Sequence, residues 1–93
     1  MILVELFSKN DCHLCEEAKA VLEKVRREVP FTLKEIKLAE GDQQYDDYKE
    51  LVPVVHVNKV FTFKYRVNEN MLRIKLQQLT AAERRHDDEE TPA

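Results

Sequence analysis

The sequence contains no long hydrophobic run, no large excess of one charge and no second pair of cysteines. No apolar segment approaches the roughly 20 residues that a helix needs to cross a bilayer, so we expect no membrane partner. The 15 Lys and Arg against 18 Asp and Glu give a net charge of −3. Because this charge is small and mixed, we expect no nucleic-acid partner, which would call for a clustered basic face.

The first residues also lack the features of a secretory signal. The chain opens directly on the β-prone residues 2–7, without a basic segment or a small-residue cleavage site. We therefore expect a cytoplasmic protein, in a reducing compartment where a disulfide is more often transient than structural. The 93 residues suit one domain, and we expect it to be a monomer.

Hydrophobic periodicity predicts a strand and then a helix in the first third of the chain. Residues 2–7 are typical of a short strand buried on both faces. From Cys12 to about Glu28 the apolar residues follow helical spacing along one face. These residues are Leu14, Ala18, Val21, Leu22, Val25 and Val29. Pro30 marks the end of this helix.

The middle of the chain predicts a strand, a short helix and a hairpin. Residues 31–38 alternate imperfectly, as in a strand. Gly41, the only glycine, precedes Asp42, which can cap a short helix. Residues 52–57 and 60–65 predict paired strands joined by a tight turn in which Asn58 tolerates a positive φ. Three aromatic residues alternate along the second strand, and packing on the sheet explains them more simply than a binding platform. They are Phe61, Phe63 and Tyr65.

Asn68 is a candidate N-cap for a last helix, whose buried stripe we predict from its spacing. The stripe comprises Met71, Leu72, Leu76 and Leu79. After Thr80 the apolar periodicity ends, so we expect a domain over residues 1–79 and a charged, disordered tail over 80–93. The element order β-α-β-α-β-β-α predicts an α/β fold with a four-stranded mixed sheet flanked by helices.

The sequence Cys12-His13-Leu14-Cys15 lies where the first strand gives way to the first helix. Free backbone N–H groups and the positive end of the helix dipole favour a thiolate at Cys12. Cys15, one helical turn on, is within reach to close a disulfide. A thiolate attacks a disulfide substrate, and a second thiol nearby then releases the mixed disulfide.

Other interpretations of this pair stay open. A structural disulfide over so short a loop would contribute only about 2 kcal/mol. Structural zinc needs four ligands, and there is no second Cys-x-x-Cys. A c-type haem site needs histidine after the second cysteine, where this chain has Glu16. Both cysteines could also be small buried hydrophobes.

Two segments carry a resemblance to a known family. Residues 4–15, VELFSKNDCHLC, resemble the strand, Phe-Ser-Lys turn and Cys-x-x-Cys that open the glutaredoxins. Residues 51–55, LVPVV, resemble that family's Thr-Val-Pro segment. The resemblance covers about residues 1–79 and implies a thioredoxin-like fold. It also implies that Pro53 is cis, lies beside the cysteine pair and leaves the Val52 backbone free to bind substrate as an extra strand.

Two departures from the glutaredoxin pattern concern glutathione and the substrate. Residues 63–69, FKYRVNE, hold no glycine where glutaredoxins usually have a Gly-Gly pair. Because close backbone approach to a ligand favours glycine, we expect no cofactor and keep glutathione only as a candidate co-substrate. His13 and Leu14 between the cysteines resemble the glutaredoxin-related group, whose substrates the motif does not name.

The leading hypothesis is a thiol–disulfide oxidoreductase in which Cys12 attacks and Cys15 resolves. By the resemblance, Val52 and Pro53 position the substrate, and Lys9 meets a substrate carboxylate unless it is only a solvated turn lysine. His13 either tunes Cys12, since histidine titrates near neutrality, or is an exposed residue with no special role. The partners we expect are protein or low-molecular-weight disulfides and a donor that the sequence does not name. The alternatives are a module whose Cys12 helps hold an iron–sulfur cluster between two chains, or a scaffold without turnover.

Overall fold

In a computed structural model, the chain is described from residue 1 to residue 90, with side chains as far as residue 84. Seven elements follow one another in the predicted order. They are β1 (Leu3–Ser8), α1 (His13–Glu28), β2 (Thr32–Lys37), α2 (Gln43–Tyr48), β3 (Val54–Val57), β4 (Val60–Lys64) and α3 (Glu69–Glu90).

The strands form one mixed sheet in the order β2-β1-β3-β4. β1 pairs in parallel with β2, across the helical connection α1, and antiparallel with β3. β3 and β4 form an antiparallel hairpin. The predicted four-stranded mixed sheet is therefore confirmed. β1 lies in its centre, and Val4 and Phe7 on its two faces are both almost inaccessible to solvent.

The hairpin turn follows the predicted chemistry. Asn58 and Lys59 both have positive φ, 50° and 69°, as a two-residue turn between twisted strands requires. The Asn58 side chain also accepts a hydrogen bond from the backbone N–H of Leu3, with Oδ1 2.9 Å from the nitrogen. The turn is thereby fastened to the beginning of the central strand.

A β-bulge separates two aromatic residues that the sequence placed in regular alternation. The pairing between β3 and β4 shifts by one residue, so that Val55 faces Phe63 while His56 faces Phe61 and Thr62 is the extra residue. Phe63 packs on the larger core, and Phe61 lies 5.7 Å from the His56 ring on the opposite face. The inserted residue reverses the side-chain direction, so the regular alternation that we inferred across this strand is wrong.

Two apolar clusters hold the sheet and helices together. The larger one joins β1 and β3 to α1 and α3. Its buried members are Ile2, Val4, Leu6, Ala18, Leu22, Val25, Phe31, Val55, Val57, Val67, Leu72 and Leu76. The smaller one surrounds the cysteine pair. Its buried members are Phe7, Cys15, Leu38, Val52 and Val54. The predicted apolar face of α1 is confirmed except at Leu14, which belongs to neither cluster. The other predicted positions pack in the larger cluster, and they are Ala18, Val21, Leu22, Val25 and Val29.

The beginning of α3 agrees with the prediction except at one position. The Asn68 side chain accepts a hydrogen bond from the backbone N–H of Met71 (2.9 Å), which is an N-cap bond. Leu72 and Leu76 are fully buried. Met71, which we placed in the buried stripe, is 61% exposed, because the stripe of α3 that meets the sheet is narrower than the spacing suggested.

The structure also differs from the expectation of a disordered tail that begins at residue 80. Residues 80–90 continue α3 as helix, and residues 91–93 lie outside the described residues. Apolar periodicity is absent here, but Ala81, Ala82 and Arg84 are strong helix formers. Glu83 also lies 3.2 Å from the N-terminal ammonium of Met1. Helix propensity and a terminal ion pair extend the element where the hydrophobic pattern alone predicts its end.

Within the described part of the chain, no helix combines the length and the apolar character that a membrane crossing requires.

Candidate redox site

The cysteine pair lies immediately beyond the carboxyl end of the central strand. β1 ends at Ser8, a short turn follows, and Cys12 is the N-cap of α1. Asp11 in this turn has a positive φ of 56°, a conformation that Asp tolerates better than most residues. Cys12 and Cys15 are joined as a disulfide, with their Cα atoms 5.2 Å apart. The structure therefore holds the pair in its oxidised form.

The two sulfurs have different surroundings. Cys15 is 4% exposed, whereas Cys12 is only partly buried at the edge of the smaller core. The backbone N–H of Cys15 donates to the Cys12 sulfur at 3.1 Å. This donor and the N-terminus of α1 both stabilise negative charge on Cys12. The geometry suits an accessible nucleophile at Cys12 and a protected second sulfur at Cys15.

The predicted Val52–Pro53 pair lies beside the disulfide. Val52 belongs to the same buried cluster as Cys15, and the Val52–Pro53 peptide bond is cis, as the resemblance implied. The expectation of a free Val52 backbone is wrong for one group, because its N–H donates to the Tyr48 carbonyl at 3.0 Å. That bond forms because α2 ends directly before this segment. Among residues 1–90, no backbone N–H donates to the Val52 carbonyl.

Lys9 lies in the turn after β1, and His13 is the first residue of α1. The Lys9 ammonium donates to the Lys49 carbonyl at the end of α2 (3.1 Å), and Lys9 also lines the small cleft next to the disulfide. His13 points outward, with 82% of its side chain exposed and Nε2 3.4 Å from Glu17.

The segment without glycine nevertheless adopts a conformation typical of glycine. Tyr65 follows β4 with a φ of 67°, and its backbone N–H donates to the carbonyls of Leu51 (3.1 Å) and Pro53 (2.9 Å). Arg66, the next residue, lies 3.9 Å from Glu17 on α1. A bulky side chain is thus held next to the Pro53 segment, where a close backbone approach by a ligand would favour glycine.

A polar cleft of about 170 Å³ beside the disulfide was not predicted from the sequence. Ser8, 1% exposed, donates from Oγ to Glu35 at 3.5 Å, and the Lys19 ammonium is 3.4 Å from the same carboxylate. Both cysteines line this cleft too. The alternating pattern of residues 31–38 could have indicated which face of the strand Glu35 occupies. In the structure, the parallel register of β1 and β2 puts Glu35 on the face that carries α1.

The opposite face of the sheet carries an aromatic and polar cluster. The Tyr48 hydroxyl is 3.1 Å from Nε2 of His56, which is half-buried. Burial lowers the pKa of His56, the Glu5 carboxylate opposes that effect, and Lys59 adds to it. Glu5, on the central strand, has a buried side chain 3.2 Å from the Lys59 ammonium.

In the part of the chain that the structure describes, no three His, Cys, Asp or Glu residues gather in an arrangement that could hold a metal ion.

Comparison with known proteins defines first the fold and then the family. The structure of protein XcR50 from X. campestris superposes with a TM-score of 0.67 at 21% identity, covering 81% of this chain and 96% of that one. Chloroplastic thioredoxin z superposes with a TM-score of 0.64 at 16% identity, covering 87% and 80%. The fold is accordingly a thioredoxin-like α/β fold, as predicted.

Sequence similarity gives the family. The model of the glutaredoxin-like domain family (DUF836) matches residues 3–77. The glutaredoxin-like protein YDR286C homolog of Dictyostelium discoideum is 30% identical over 95 residues, which cover 96% of this chain and 88% of the relative. The chain belongs to the glutaredoxin-like family, and its fold and cysteine pair are those of a redox-type protein.

Proposed function

We propose that the protein is a thiol–disulfide oxidoreductase whose reacting groups are Cys12 and Cys15. The observation that carries this proposal is the position of the pair at the start of α1, with one accessible sulfur and one buried sulfur. At this position the Cys12 sulfur also accepts a hydrogen bond from the backbone N–H of Cys15. A disulfide that only stabilised the fold would need neither this donor nor an exposed partner.

The reaction follows from the unequal sulfurs. In the reduced protein the Cys12 thiolate attacks a substrate disulfide, forms a mixed disulfide and releases the first substrate thiolate. Cys15 then attacks Cys12 in the mixed disulfide, releases the second thiol and leaves the Cys12–Cys15 disulfide. The substrate gains two electrons and the dithiol loses two. A thiol donor returns the pair to its reduced form.

In this proposal the surface around Cys12 selects the substrate. The Val52 carbonyl accepts a hydrogen bond from an extended substrate segment, and Pro53 packs beside the reacting sulfurs. Lys9 meets a substrate carboxylate, for which it has to leave its bond to the Lys49 carbonyl, and His13 adds positive charge near Cys12 when protonated. The substrates are protein or low-molecular-weight disulfides in the cytoplasm, and no bound cofactor takes part.

Reduction of insulin and of a glutathione mixed disulfide tests the activity. We expect Cys12→Ser to abolish both reactions, because Cys15, the other of the two cysteines, is only 4% exposed and is not accessible to a substrate disulfide. Cys15→Ser should retain attack but accumulate a mixed disulfide on Cys12, visible as added mass. Met71→Ala, an exposed position on α3, serves as control. Unchanged activity in Cys12→Ser would contradict the proposal and favour a scaffold.

A further inference from the structure

The second step of the proposed reaction needs a group that accepts the proton of the Cys15 thiol. Before it can attack, the Cys15 thiol has to become a thiolate, yet Cys15 is 4% exposed and packs in the smaller apolar core. Bulk water therefore has little direct access to this sulfur. The side of Cys15 that is not apolar is the polar cleft that it shares with Cys12, Ser8 and Glu35.

Of the three carboxylates that line this cleft, Glu35 is the one held in place. Its Oε2 accepts a bond from the fully buried Ser8 hydroxyl at 3.5 Å, and its Oε1 lies 3.4 Å from the Lys19 ammonium. Its side chain is 30% exposed. The other charged groups around the cleft come from the turn before α1, from α1 itself and from β2. They are Lys9, Asp11, Glu16, Lys19 and Lys37.

The cleft is large enough for a water-mediated path. A volume of about 170 Å³ exceeds several times the roughly 30 Å³ that one water occupies. The Ser8 hydroxyl and the Glu35 carboxylate supply the polar partners that an ordered water requires.

We propose that Glu35 accepts the proton of Cys15, through water in this cleft, when Cys15 attacks the mixed disulfide. This inference rests on the oxidoreductase function proposed above. In the step, the S–H bond of Cys15 breaks and an O–H bond forms on Glu35. The Cys15 thiolate then forms the S–S bond with Cys12, and the bond between Cys12 and the substrate sulfur breaks. The proton on Glu35 passes to the departing thiolate or to water.

One reagent, 5,5′-dithiobis(2-nitrobenzoate), separates the two thiol steps. With one equivalent and reduced protein, attack by Cys12 releases the first coloured thiolate, and attack by Cys15 releases the second. We expect Glu35→Gln to leave the first phase unchanged and to slow the second by about tenfold at neutral pH. This expected decrease in rate is smaller than the roughly 10²–10⁴-fold that a general acid or base typically contributes. The effect is smaller because the cleft is open to water. The difference should narrow as the pH rises, because a growing fraction of the Cys15 thiol then ionises without Glu35.

Matched variants separate this role from a structural one. Glu16→Gln removes a carboxylate from the same cleft and should leave both phases unchanged, while Glu35→Asp should restore most of the second-phase rate. Glu35→Thr suits a strand and should reproduce the slow phase if Glu35→Gln unfolds. An unaltered second phase in both neutral variants at every pH would overturn the inference but not the oxidoreductase function. Absence of a second phase in the wild type would overturn both.

Discussion

Reduction of the Cys12–Cys15 disulfide should weaken the fold only moderately. The bond closes a short loop, with a sequence separation of 3, and loop-closure entropy for about four residues corresponds to roughly 2 kcal/mol. Neither cysteine belongs to the larger apolar cluster, which joins the sheet to α1 and α3. That cluster therefore stays intact when the bond is broken. For a domain of this size, roughly 2 kcal/mol lowers Tm by about 8–16 °C.

Thermal unfolding followed by circular dichroism, with and without dithiothreitol, measures this effect. The matched control is the double variant Cys12→Ser with Cys15→Ser, whose Tm should not respond to the reductant. Both redox forms of the wild type should unfold cooperatively from a folded state. If reduction unfolded the protein at 25 °C, the disulfide would be a structural staple, and the reasoning that assigns it to redox cycling would be refuted.

Three further predictions concern the fold. Leu72→Ala should lower the free energy of unfolding by about 2–5 kcal/mol because it leaves a cavity in the larger core, whereas Met71→Ala should change it by less than about 0.5 kcal/mol; urea titration compares the two. Stability should fall as the pH drops below 6.5, and less so in His56→Gln, because burial lowers the pKa of His56 in the folded state. Tyr65→Gly should leave stability unchanged or raise it by up to about 1 kcal/mol, since it relieves a left-handed conformation, whereas Lys64→Gly in β4 should lower it by about 0.5–1 kcal/mol.

The direction of the pH effect follows from proton binding. Below pH 6.5 the unfolded chain protonates His56 more readily than the folded protein does, so the unfolded state binds more protons and gains population as the pH falls. The loss is complete once the pH lies below the lowered pKa of the folded state. The same pH dependence in His56→Gln as in the wild type would contradict this assignment. For Tyr65→Gly, a large loss of stability would contradict the prediction. It would show that the Tyr65 side chain stabilises the fold by more than the left-handed backbone conformation destabilises it.

Local patterns were sufficient for the elements and for the cysteine site. The helical spacing of α1, the turn at Asn58 and the position of Cys12 before the first helix depend on residues near one another in the chain. Each of these features is present in the structure, as is the Val52–Pro53 segment beside the disulfide. The resemblance to glutaredoxins supplied this last feature, since no local pattern relates Pro53 to Cys12.

Features that depend on pairing between distant elements were missed. The bulge at Thr62 follows from the register of β4 on β3, and the occupied N–H of Val52 follows from where α2 ends. Glu35 meets Ser8 because β2 lies parallel to β1. Each residue also has an ordinary local explanation, as an alternating strand or turn position, so the sequence alone gave no reason to single it out.

The division of the core into two clusters has a consequence for the order in which the protein can be completed during synthesis. Every residue of the smaller cluster around the cysteines precedes residue 55, whereas the larger one needs Leu72 and Leu76. The central strand is tied to the hairpin by a bond between residues 55 positions apart, a separation typical of slower folding. A growing chain therefore holds all the parts of its reactive site before it holds those that make it stable.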